Sequence, residues 1–130
     1  MQNKTWALGQ AGEELAGDYL MKQGYSIIDR NWNLHKGCEL DLVAYKDGEL
    51  HFIEVKTRSN ARYSRPEEAI NLTKLKHIGT AISYYIACKP FYRDTPFHVD
   101  AIGVVYRSEQ DYEINFMPDI NYYPFSRRRW

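Results

Sequence analysis

The stretch CELDLVAYKDGELHFIEVKTR (residues 38–58) reads as two strands joined by a two-residue turn. Asp47-Gly48 sits between two apolar runs, and an Asp-Gly pair in that setting is the strongest short-range hairpin signal, because both residues tolerate the left-handed backbone of a tight loop. With these two as the loop, Lys46 faces Glu49 and the numbers of every facing pair sum to 95. Asp41 then faces Glu54, and Glu39 faces Lys56. Facing Cβ atoms lie about 4.5–5.5 Å apart, which lets two carboxylates share one divalent cation. Like charges directly opposite one another destabilise a sheet, so the Asp41–Glu54 pair calls for a counter-charge. Side chains two apart on a strand leave from the same face. One face of the hairpin therefore carries Leu40, Leu42, Ala44, Ile53 and Val55, and must pack on a helix layer. The other runs from Tyr45, Val43, Leu50 and Phe52 near the turn to Glu39, Asp41, Glu54 and Lys56 at the far end.

Working outward, residues 8–23 place Leu8, Ala11, Leu15, Ala16, Tyr19 and Leu20 at helical spacing, and Gly24 stops the pattern. Residues 25–31 read as a first strand, followed by a polar loop through Lys36 and Gly37. Beyond the hairpin, Thr57–Arg65 is a basic loop, and Pro66 opens a short helical turn to Ile70. Thr73 caps a longer helix to about Ala87, with Leu75, Ile78, Ala81, Ile82 and Ile86 on one stripe. His98–Tyr106 and Tyr112–Met117 alternate as a second hairpin. The order predicts an α/β fold of three layers around a mixed central β-sheet. Residues 1–117 form one domain, and 118–130 a Tyr-, Pro- and Arg-rich surface tail.

A chain of 130 residues has room for a real core. Its formal net charge of zero excludes a uniformly basic binding surface and leaves nucleic-acid affinity to a local patch. No segment has the run of apolar residues needed to span a bilayer, and the N-terminus lacks a signal-peptide core, so a cytoplasmic protein is expected. Cys38 and Cys88 are then read as reduced thiols. His35, His51, His77 and His98 have no metal-ligand spacing, and no zinc site is expected.

Glu54 and Lys56 share a face, with Val55 turned into the core. Asp41, Glu54 and the Val55 carbonyl offer the hard oxygen ligands that Mg²⁺ prefers, and Glu13 on the first helix can add a carboxylate. Lys56 can orient a water or stabilise charge developing on a phosphoryl group. The competing reading is an ordinary cross-strand ion-pair network of Glu39, Asp41 and Lys56, a common and weak feature of exposed sheets. The two readings stand about even on spacing alone. Arg58, Arg62, Arg65, Lys74 and Lys76 follow the hairpin and form a candidate phosphate-contacting patch, against a solvated loop balanced by Glu67 and Glu68. Arg127-Arg128-Arg129 reads as a basic end, and Trp32 and Tyr63 as packing residues rather than base-stacking ones.

The blocks GQAGEELAxxYL, CELDLVA, FIEVKTR, RPEEAINxxKxxxI and VDAI together resemble the YraN-like family of small bacterial proteins, over about residues 9–105. That family is similar to the PD-(D/E)xK nucleases, of restriction-endonuclease-like fold, and in layout to Holliday-junction resolvases. The resemblance implies a Mg²⁺- or Mn²⁺-dependent endonuclease acting on nucleic acid, on structured or branched DNA, and a homodimer. By motif, Glu13 matches the acid of the first helix, Asp41 that of the first hairpin strand, and Glu54 with Lys56 the E-x-K pair; Glu39 matches an accessory glutamate. Cys38 stands where the family commonly has glycine, His98 where it has arginine, and Leu40 where the superfamily has proline. A fold hosts several functions, so a non-catalytic nucleic-acid-binding module and a protein-interaction domain remain the rivals.

Overall fold

The computed structural model describes residues 4–59 and 72–120. Five strands form one mixed sheet in sequence order: β1 (Ser26–His35), β2 (Cys38–Lys46), β3 (Glu49–Arg58), β4 (Phe97–Ser108) and β5 (Asp111–Met117). Neighbouring strands run antiparallel except β3 and β4, which are parallel. Parallel neighbours need a long crossover, and helix α2 (Leu72–Cys88) lies within it, while helix α1 (Lys4–Lys22) precedes the sheet. The turn is as the dipeptide demands: Asp47 and Gly48 both have positive φ, 52° and 81°.

The helices cover opposite faces of the sheet. Ala16 and Leu20 of α1 pack on Leu42, Ala44, Ile53, Ile102 and Val104. Leu75, Ile78, Ala81, Ile82 and Tyr85 of α2 pack on Val43, Leu50, Phe52 and Val99. This is the expected three-layer α/β architecture, compatible with a restriction-endonuclease-like layout. Helix α1 lies close to the sheet because Gly12 has no side chain; a Cβ there would overlap the side chain of Thr57.

One expectation about the hairpin fails. The facing pairs that sum to 95 extend from Lys46↔Glu49 to Leu42↔Ile53 and are not continued at Asp41–Glu54 or Glu39–Lys56. Leu40, expected beside Leu42 on the α1 side, instead joins Cys38, Val43 and Phe52 on the α2 side. On the neighbouring strand, Asn31 lies between the Arg30↔Leu42 and Trp32↔Leu40 pairs and has a φ of 50°. Asparagine is among the few residues that accept this left-handed backbone. Both strands thus lose simple alternation at one level, and β2 parts from β3 at Asp41. No helix among the described residues is long and apolar enough to cross a membrane.

Past β5, residues 118–120 stay on the domain. The Asp119 N–H donates to Asp100 Oδ1 at 2.8 Å, the Ile120 N–H donates to the Val99 carbonyl at 2.8 Å, and Ile120 packs on the α2-side core. The turn expected at Pro66–Ile70, with Arg62, Tyr63, Arg65 and Arg127–Arg129, lies outside the described residues.

Candidate metal and nucleic-acid site

The parting of β2 from β3 gives Asp41 its position. The Val55 N–H, left without its ladder partner, donates to Asp41 Oδ2 at 2.8 Å. A buried backbone donor must find an acceptor, so the split converts Asp41 from a ladder residue into a cap on the next strand. It brings the carboxyl group into hydrogen-bonding contact with that of Glu54. Glu54 is 9% exposed, and Lys74 of α2 reaches it with Nζ at 2.9 Å from Oε1.

Glu13 approaches from the other layer. It is half-buried, takes a hydrogen bond from Asn31 and feels the charge of Asp41. It lines a cleft of about 370 Å³ with Gln10, Glu14, Asp18, Arg30, Asn31 and Leu42. The left-handed turn at Asn31 therefore shapes the site twice, through the strand irregularity beside Asp41 and through its side chain on Glu13.

The electrostatics are those of carboxylates crowded away from water. Burial, then the charge of Asp41, pushes Glu13 up to about 7 against the Asn31 hydrogen bond. Asp41 and Glu54 are both raised, chiefly by burial; the Val55 N–H and Lys74 oppose the rise at Asp41, and Lys74 opposes it at Glu54. Among the described residues the Lys74 ammonium is the cation that acts on Asp41 and Glu54, and carboxyl groups from α1, β2 and β3 crowded in this way suit a hard divalent cation.

Pairing of β3 with β4 is unbroken from Leu50↔Phe97 to Arg58↔Val105. Since Phe52 faces α2, the alternation sends Glu54, Lys56 and Arg58 to that same side. Lys56 is exposed, and its neighbour on β4 is Gly103, which has no side chain to cover it. Arg58 Nε is buried and has no hydrogen-bond partner among the described residues. Glu39 is exposed, and its charge adds to the rise at Asp41. Lys74, expected as a phosphate contact, is engaged by Glu54, whereas Lys76 is exposed on α2. Trp32 packs edge-on against Tyr85 with ring centroids 5.2 Å apart, as a packing residue.

The sequence reading missed a second cluster. His51 and His98 pair across β3 and β4, their rings stacked with centroids 4.6 Å apart and 14° between planes. The absence of local metal spacing between histidines did not exclude a spatial pair, because parallel strands join residues far apart in the chain. Asp100 Oδ2 lies 2.7 Å from His51 Nδ1, and Asp119 Oδ1 lies 2.7 Å from His98 Nδ1. Glu49 Oε1 lies 3.0 Å from His98 Nε2. Burial disfavours a charged His98, but the hydrogen bonds to Asp119 and Glu49 outweigh it and raise the imidazole above its ordinary value.

Comparison with known proteins agrees with the motif resemblance. The model of the uncharacterised protein family UPF0102 matches residues 12–104, a span that includes Glu13, Asp41, Glu54 and Lys56. A UPF0102 protein of Bacteroides thetaiotaomicron is 48% identical over 99 residues, 75% of this chain and 78% of the relative. One of Clostridium perfringens is 33% identical over 127 residues, 92% of this chain and 97% of the relative. A third, of Syntrophomonas wolfei, is 44% identical over 98 residues, 75% of this chain and 84% of the relative. The chain belongs to the UPF0102 (YraN) family.

Proposed function

We propose that the chain is a divalent-metal-dependent endonuclease that hydrolyses phosphodiester bonds in nucleic acid, with structured or branched DNA as the substrate class. The observation that carries this reading is the carboxyl pair of Asp41 and Glu54 at the strand split, with Glu13 reaching from the α1 layer to where it feels the Asp41 charge and Lys56 exposed two residues along β3 from Glu54. Asp41 and Glu54 would hold Mg²⁺ or Mn²⁺, with Glu13 as a further ligand. Their oxygen donors and excess negative charge fit a hard cation. When bound, such an ion stabilises charge on phosphoryl oxygens and makes a nearby water more acidic.

The chain's own residues divide the remaining work. Lys56, beside the bare Gly103, is free to position a water or donate a hydrogen bond to the phosphoryl group as charge develops. Arg58 lies on the same side of β3, about 6–7 Å further along. Its guanidinium, whose Nε has no partner among the described residues, would turn to meet a phosphate oxygen. Lys74 holds Glu54 in place and limits the repulsion between the acids. A cytoplasmic location and the homodimer implied by the resolvase resemblance belong to the same reading.

The Lys74–Glu54 ion pair favours one rival, a closed network that needs no metal. Purified protein is therefore titrated with Mg²⁺ and Mn²⁺ by calorimetry and then incubated with a panel of duplex, single-stranded and branched DNA. The reading expects ion binding lost in Asp41→Asn, and cleavage of branched substrates lost in Asp41→Asn and Lys56→Ala. Metal binding and DNA binding without cleavage would make the chain a binding module. No metal binding and no DNA binding would leave the ion-pair network.

A further inference from the structure

The histidine cluster lies on the opposite face of β3 from Glu54, because His51 alternates with Phe52 and Ile53 packs under α1. Glu54 is also three residue steps from His51, about 10 Å along the strand. It is therefore spatially separate from the carboxylate group at the strand split. One nitrogen of each histidine and one oxygen of Glu49 lie within 4.8 Å of one another.

The supporting carboxylates give the cluster its direction. Asp100 is 1% exposed; its Oδ1 accepts the Asp119 N–H at 2.8 Å, and its Oδ2 is 2.7 Å from His51 Nδ1. A carboxylate only accepts, so Nδ1 of His51 carries a proton, and in the neutral ring Nε2 is the nitrogen with the lone pair. Asp119 imposes the same tautomer on a neutral His98. The lone pair of His98 Nε2 then points at Glu49 Oε1 across 3.0 Å, and two acceptors at that distance need something positive between them. A carboxylate on the outer nitrogen of an imidazole is the arrangement by which proteins orient histidine ligands and raise their basicity. Here it occurs on both histidines.

We propose that Glu49, His51 and His98 form a second metal site, which takes a transition ion of the Zn²⁺ class through two imidazole nitrogens and one carboxylate oxygen, with Asp100 and Asp119 holding the imidazoles. The N₂O donor set selects such an ion over Mg²⁺, which favours all-oxygen ligation. Ligand atoms around tetrahedral Zn²⁺ lie about 3.4 Å apart for bonds near 2.1 Å. The cluster therefore closes on an ion with side-chain movements of about 1 Å. All three ligands are partly exposed, so an ion can enter and a fourth position stays open to water. The ring of Tyr25 packs T-shaped against that of His51, with centroids 5.0 Å apart and the planes at 85°. The competitor for the gap is a proton, since an imidazolium paired with Glu49 and Asp119 makes the same contacts.

The test uses the untagged full chain, stripped with a chelator and dialysed, at neutral pH. Zn²⁺ is titrated by calorimetry, and Co²⁺ by visible absorption, in wild type, His98→Gln, Asp119→Asn and Asp41→Asn. One equivalent of Zn²⁺ is expected in wild type with an intense tetrahedral Co²⁺ band, both retained in Asp41→Asn. Asp119→Asn should weaken binding about 10–100-fold, and His98→Gln by more. No Zn²⁺ binding in wild type, or unchanged affinity in His98→Gln, would overturn the proposal. Histidine ¹H–¹⁵N spectra of the wild-type protein decide the matter independently of any variant's folding. Zn²⁺ should move Nε2 of His51 and His98, and a response confined to the exposed His35 and His77 would refute the site. Failure of nuclease activity leaves these outcomes untouched, since none of them reads cleavage.

Discussion

Replacing Asp41 with asparagine keeps an acceptor for the Val55 N–H, now 2.8 Å from Oδ2, and removes one of two carboxyl groups in contact. Burial and then the charge of Asp41 push Glu54 from 4.5 to about 7. Between those values the folded chain holds a proton that the unfolded chain has released. Stability therefore falls as pH rises through this window: the favourable contribution is complete below 4.5 and is lost as pH passes about 7. The whole difference corresponds to about 3 kcal/mol. Desolvation is its larger part, so relief of the Asp41 charge returns about 1 kcal/mol. In metal-free protein near pH 8, Asp41→Asn should match or exceed wild type by about 1 kcal/mol, or about 3–5 °C in Tm. Its stability should also depend less on pH between about 5 and 8. Urea unfolding followed by tryptophan fluorescence, with EDTA and then with Mn²⁺, measures both. With the ion the order should reverse, because a ligand at about 100 times its Kd adds about 2.7 kcal/mol to wild type alone. A variant more than about 1 kcal/mol less stable than wild type in EDTA would refute the argument. Asp41 would then be a net stabilising partner of Lys74, not a repelled acid.

Lys56→Ala should leave Mn²⁺ affinity unchanged and lower cleavage by about 10²–10³-fold, because an exposed ammonium stabilises developing charge without ligating the metal. Equal turnover numbers would remove Lys56 from the mechanism. The double variant of Arg58→Ala and Arg62→Ala should weaken DNA binding at every sequence and flatten its salt dependence by about one unit of slope per lost contact. A larger loss on deleting Arg127–Arg129 would move the binding face to the C-terminus. Gly12→Val should destabilise the fold by about 1–3 kcal/mol, since the side chain meets Thr57. Gly9→Ala has open space around it and should stabilise helix α1 by about 0.5–1 kcal/mol. Equal unfolding midpoints for these two variants would show that α1 does not rest on β3 through Gly12.

Local chemistry determined the elements. Asp47-Gly48 sets a hairpin because few other dipeptides accept two consecutive left-handed residues, and strict alternation from Leu42 to Phe52 then follows from the pleat. Helical spacing of Ala16 with Leu20, and of Leu75, Ile78 and Ile82, likewise marked the faces that each helix buries. The tertiary structure decided what happens where that regularity stops. The left-handed backbone at Asn31 acts on a neighbouring strand, so nothing in the β2 sequence announces that Leu40 changes layer or that Asp41 turns to cap Val55. Lys74 on Glu54 and the stacking of His51 on His98 depend on a crossover helix and a parallel register. Spacing along the chain reports only contacts within an element or a short hairpin. Residues 47 positions apart become neighbours only once the sheet has brought β3 and β4 side by side.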